Sequence, residues 1–95
     1  MFLVCLCDPI IIINGSIEDE THRVMKNIAA ILSEAGLNFE HVVKTSIFVR
    51  DLNNFAKINE VYGSYFDEDP PARETVEVSR LPKDVDVEIS CIAVE

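Results

Sequence analysis

The sequence predicts a single α+β domain, with two helices packed on one face of one sheet. Three observations predict it. Residues 16–36 and 55–65 place apolar side chains at helical spacing. Residues 2–7, 42–49, 73–79 and 85–94 are either continuously apolar, rich in β-branched types or alternating. The order is therefore strand, helix, strand, helix, strand, strand, within 95 residues that leave room for one core.

Phe2 to Cys7 is a short apolar run ended by Asp8-Pro9, a buried strand and a turn. Ile10 to Ile13 are four β-branched residues broken by Asn14-Gly15. Such a run aggregates when exposed, so a partner surface is expected to cover it. Ser16 opens the first helix, with Asp19 at capping-box spacing and Glu18, Asp19 and Glu20 at the positive end of the dipole. Val24, Ile28, Ile31, Leu32 and Ala35 form its apolar stripe, and Gly36 supplies a left-handed C-terminal cap. Val42 to Val49 carries apolar residues on both faces and reads as an interior strand. Arg50 to Asn54 turn into the second helix, whose buried face is marked by Phe55, Ile58, Tyr62 and Tyr65. The segment Asp67 to Pro71 is expected to end it, because proline cannot continue a helix. From Arg73 to Ser79, Glu74, Val76 and Val78 point one way and Arg73, Thr75, Glu77 and Ser79 the other. Leu81 to Asp84 form a turn. In the last strand, Val85, Val87, Ile89, Cys91 and Ala93 share one face, and Asp86, Glu88, Ser90, Ile92 and Val94 share the opposite one.

Acids outnumber bases 17 to 8, for a net charge of −9 and a pI near 4.5. This argues against general binding to nucleic acid or to anionic membranes, both of which rest on clustered Lys and Arg. Lys44, Arg50, Lys57, Arg73, Arg80 and Lys83 are scattered along the chain. No run approaches the ~20 apolar residues of a membrane span, and Met1 to Ile13 lacks the basic start of a signal peptide. Cys5, Cys7 and Cys91 make an odd count and are expected to be free thiols, which points to a cytoplasmic location. Cys-x-Cys with distant His22 and His41 does not meet the four-ligand pattern of structural zinc, so no metal site is expected.

Two residues stand out chemically. Arg73 follows Pro70-Pro71-Ala72 and starts a strand, so its backbone is fixed. Such a guanidinium can grip a carboxylate through two parallel hydrogen bonds, or it can pair with Asp67, Glu68, Asp69 or Glu74 at the surface. Glu88 sits mid-strand in a partly apolar setting, where it can activate water or simply face solvent. Thr75 shares a face with Arg73. Asn59 lies inside the second helix, where asparagine is a poor helix former. No Ser-His-Asp order, phosphate loop or paired-glycine fingerprint is present.

Ala35-Gly36-Leu37 and the stretch from Val42 to Phe55 resemble the Rid family, the reactive-intermediate deaminases also called YjgF-like proteins. Pro71-Ala72-Arg73-Glu74-Thr75-Val76-Glu77-Val78 and Leu81-Pro82-Lys83-Asp84-Val85-Asp86-Val87-Glu88-Ile89 continue the match, which runs from about Gly15 to Val94. The resemblance implies a chorismate-mutase-like sheet with two helices on one face and a homotrimer with clefts between subunits. It implies hydrolysis of 2-imino or enamine acids to 2-oxo acids and ammonia, without cofactor or metal. At the matching positions Arg73 binds the substrate carboxylate and Glu88 holds the attacking water, while Asn59 near the cleft and Thr75, which stands where this branch often has cysteine, complete the substrate-binding set. It also implies one domain over residues 1–95, shortened at its N-terminus relative to members with an upstream hairpin.

Two further readings compete. One is a trimeric module that binds small carboxylates through Arg73 without turnover. The other is RNA cleavage or translation inhibition, an activity attributed to some relatives, against which the net charge of −9 weighs.

Overall fold

The computed structural model describes residues 2–6, 16–66 and 70–94. The chain order is β1 (Phe2–Leu6), α1 (Ile17–Glu34), β2 (Val42–Val49), α2 (Phe55–Gly63), β3 (Ala72–Glu77) and β4 (Val87–Val94). The strands form one mixed sheet in the order β1-β4-β2-β3. The predicted α+β class and element order therefore hold, with both helices on one face. The Ile10–Ile13 run, the Asp8-Pro9 turn and the acids Asp67 to Asp69 lie outside the described residues.

The ends of α1 follow from local chemistry. The Ser16 hydroxyl accepts from the Asp19 amide at 3.2 Å, satisfying one of the donors left open at a helix start. Gly36 adopts φ 75°, and the amides of Leu37 and Gly36 donate to the carbonyls of Leu32 and Ser33. That pair of bonds closes the helix and requires the left-handed residue. The buried stripe is Thr21, Val24, Met25, Ile28 and Leu32. It is rotated from the expected one: Ile31 is 36% exposed and Ala35 is exposed, whereas Thr21 and Met25 turn inward. Thr21 is tolerated there because its hydroxyl donates to the Ile17 carbonyl at 2.7 Å.

β2 is interior, as its two apolar faces predict. It pairs antiparallel with β4 and parallel with β3, the parallel partner being reached through the α2 crossover. The alternation in β4 is also as predicted. Val87, Ile89, Cys91 and Ala93 are buried against the helices together with Ile47 and Val49. The strand itself begins at Val87, two residues later than expected, after a 3-10 turn at Pro82–Asp84.

The second helix ends at Gly63, well before the prolines. Glycine is costly to hold helical, and the Ser64 hydroxyl donates to the Val61 carbonyl at 2.6 Å. Ile58, Val61 and Tyr62 form its buried face, while Phe55 and Tyr65 are only half-buried. Tyr65 lies past the helix end, against His22 and Phe39.

The candidate carboxylate site

Arg73 enters the structure through β3, in register with Thr45 of β2. Directly paired strand residues project to the same face, so Arg73 rises on the side that carries α2. There it meets three side chains one helical face apart: Phe55, Asn59 and Tyr62. Its guanidinium donates to the Asn59 side-chain oxygen. The guanidinium carbon lies 5.2 Å from the Tyr62 ring centroid and 5.5 Å from that of Phe55, within cation–π range.

A shallow, open pocket of about 420 Å³ adjoins this group, lined by Asn59, Tyr62, Phe66, Pro70 and Pro71 beside Arg73. Pro70 and Pro71, expected to stop a helix, instead form a rigid wall just before β3. The Tyr62 hydroxyl shares a 2.7 Å hydrogen bond with the Thr45 hydroxyl, and both residues are buried. Burial pushes the Tyr62 phenol above its ordinary value, opposed by the Thr45 hydrogen bond and the nearby Arg73 charge.

No carboxylate pairs with Arg73 among the described residues. Glu74, one of the acids considered as its partner, points to the opposite face. There it accepts from the Ser46 hydroxyl at 2.8 Å and lies 3.7 Å from the Lys44 ammonium. Of the five N–H donors of an arginine, one is used on Asn59 among the described residues.

Thr75 shares the Arg73 face, in register with Ile47. It does not line the pocket, and its hydroxyl is buried without a hydrogen-bond partner among the described residues. Glu88 is in register with Phe48, on the sheet face turned away from the helices. It is half-buried and makes no hydrogen bond or ion pair to a described residue. The chain therefore brings Arg73 and Asn59 together and places Glu88 on the opposite face of the same sheet.

Elsewhere, His22, Arg23 and Lys26 line a shallow depression on α1 with Asp19. This small cationic patch interrupts the scatter of basic residues expected from the sequence. No helix is long and apolar enough to cross a membrane among the described residues.

Comparison with known proteins identifies relatives of this chain. The family described as endoribonuclease L-PSP matches residues 8–95. A RutC family protein of Pyrococcus abyssi is 56% identical over 82 residues, 86% of this chain and 65% of that protein. The chloroplastic Reactive Intermediate Deaminase A of Arabidopsis thaliana is 43% identical over 81 residues, 85% of this chain and 43% of that protein. Among solved structures, E. coli TdcF with bound serine superposes with a TM-score of 0.87 at 39% identity, covering 99% of this chain and 79% of that one. The chain spans 62–65% of the length of the first three curated relatives that it matches.

Proposed function

Because the chain belongs to the endoribonuclease L-PSP family, we propose that it hydrolyses reactive 2-imino acids and their enamine tautomers to 2-oxo acids and ammonia. The observation that carries this reading is Arg73. It is a cation without an acid partner among the described residues of a chain of net charge −9, oriented beside a pocket by an asparagine and two rings. The deaminase name of the Arabidopsis relative and the serine held by E. coli TdcF support a small α-carboxylate as the ligand class.

A 2-imino acid carries its carboxylate beside an electrophilic C=N carbon. The open edge of Arg73 takes the carboxylate through two parallel hydrogen bonds and so fixes that carbon in place. In this reading Glu88 orients a water and takes its proton as the oxygen bonds to the carbon, then passes that proton to nitrogen. The resulting carbinolamine loses its hydroxyl proton to nitrogen by the same route, the C–N bond breaks, and ammonia leaves. Water supplies every atom gained, so no oxidant or reductant enters.

Arg73 and Glu88 cannot meet within one copy, because they project from opposite faces of the sheet. The proposal therefore includes a homotrimer in which the Glu88 face of one copy closes the Arg73 pocket of the next. That face carries exposed Val76 and Val94 beside half-buried Phe48 and Ile92, an apolar surface of the kind that assembly covers. We further propose a cytoplasmic location.

A second reading, carboxylate binding without turnover, draws on Arg73 alone, since no acidic side chain among the described residues lines its pocket in a single chain. RNA cleavage, the activity in the family's name, would need a larger cationic surface than Arg23 and Lys26 provide on so acidic a chain. The discriminating assay generates 2-iminobutanoate in situ and follows ammonia. Release faster than in buffer alone is expected. A rate equal to buffer, with 2-oxobutanoate still bound, would replace the deaminase reading with the binding module.

A further inference from the structure

Building on the carboxylate reading of Arg73, we infer that Tyr62 is a positioning residue for that guanidinium, held in place by its buried bond to Thr45. A tyrosine whose ring and hydroxyl are both buried must satisfy the hydroxyl or forfeit its hydration. Here the partner is Thr45 of β2, at 2.7 Å, and the two residues are 3% and 2% exposed. That bond ties α2 to the sheet at the point where Arg73 rises beside it, because Thr45 and Arg73 are register partners on adjacent strands. The ring so fixed lies 5.2 Å beneath the guanidinium carbon, and Asn59, on the same face of α2, takes one N–H.

The arrangement separates two uses of one group. Arginine binds aromatic rings through the faces of its plane and carboxylates through the edge. With the ring contact and one N–H used within the chain, the remaining donors stay directed along the plane and available to a carboxylate. An unanchored arginine would have to lose side-chain freedom on binding, and that cost would weaken the complex. Tyr62 needs no contact with the ligand to have this effect. Its contribution runs through the orientation of Arg73.

The test measures 2-oxobutanoate affinity by calorimetry in Tyr62→Leu, Tyr62→Phe and Arg73→Ala, with thermal midpoints recorded in parallel. Tyr62→Leu is expected to weaken binding roughly fivefold, the scale of one partly exposed cation–π contact. Tyr62→Phe restores the ring without the hydroxyl and is expected to recover affinity to within about twofold of wild type, although its midpoint falls because Thr45 loses its partner. Affinity that tracks the midpoint rather than the ring would overturn the inference, as would wild-type affinity in Tyr62→Leu. Unchanged affinity in Arg73→Ala would instead remove the carboxylate site itself. If Tyr62→Leu does not fold, NMR of the wild-type protein decides: ring currents are expected to move the Arg73 Hδ resonances upfield, and random-coil values would overturn the inference.

Discussion

Arg73→Ala is expected to lower kcat/KM for 2-iminobutanoate by about 10²–10³-fold and to abolish thermal stabilisation by 2-oxobutanoate. Each hydrogen bond to a charged group contributes roughly 1.5–3 kcal/mol, and the clamp makes two. The exposure of Arg73 sets the loss toward the lower end of that sum. The ligand stabilises the fold only because it binds the folded state, so losing the clamp removes the shift by mass action. Arg73→Lys is expected to keep part of the affinity, since an ammonium supplies the charge but neither the planar fork nor its fit to the Tyr62 ring. Initial rates and thermal-shift titrations check both variants. Wild-type binding in Arg73→Ala would place the ligand elsewhere.

Glu88→Gln is expected to lower kcat by about 100-fold while leaving 2-oxobutanoate affinity intact or slightly tighter. The rate loss is the scale of a missing general base. Affinity is spared because the amide removes a negative charge near an anionic ligand without changing side-chain size. The fold is also spared, because Glu88 has no hydrogen bond or ion pair to a described residue that the substitution could break. The signature is a fall in kcat with KM held, the pattern of an interaction made only in the transition state. A raised KM with unchanged kcat would assign Glu88 to binding rather than to proton transfer.

What the sequence reveals here is mostly local. The caps of α1 are legible because Ser16 and Gly36 act within four residues of themselves, and the β4 faces because alternation needs no partner. The phase of the α1 stripe is less legible. Ile31 is as apolar as Ile28, and only the position of the sheet decides that Met25 and Thr21 turn inward instead. Arg73 stands out through the Pro-Pro-Ala segment before it, but among the acids next to it in sequence Glu74 pairs elsewhere, with Ser46 and Lys44. Glu74 leaves on the opposite face because strand residues alternate, a point visible in the sequence once β3 is placed. Phe55, Asn59 and Tyr62 fall on one helical face and could have been read as a set. Their role could not, because it depends on Thr45 and Arg73 standing side by side on parallel strands, a pairing set by the crossover rather than by either segment. The same long-range register puts Glu88 across the sheet from Arg73.

That opposition makes the central claim testable with two inactive proteins. Arg73→Ala and Glu88→Gln copies are mixed, exchanged between assemblies by mild denaturation, and assayed for ammonia release after native mass spectrometry confirms mixed assemblies. If each site takes Arg73 from one copy and Glu88 from its neighbour, random mixing in a closed ring leaves about a quarter of the sites with both residues intact. The account predicts recovery of about a quarter of the wild-type rate. Confirmed mixed assemblies with no more activity than the two variants assayed separately would contradict it.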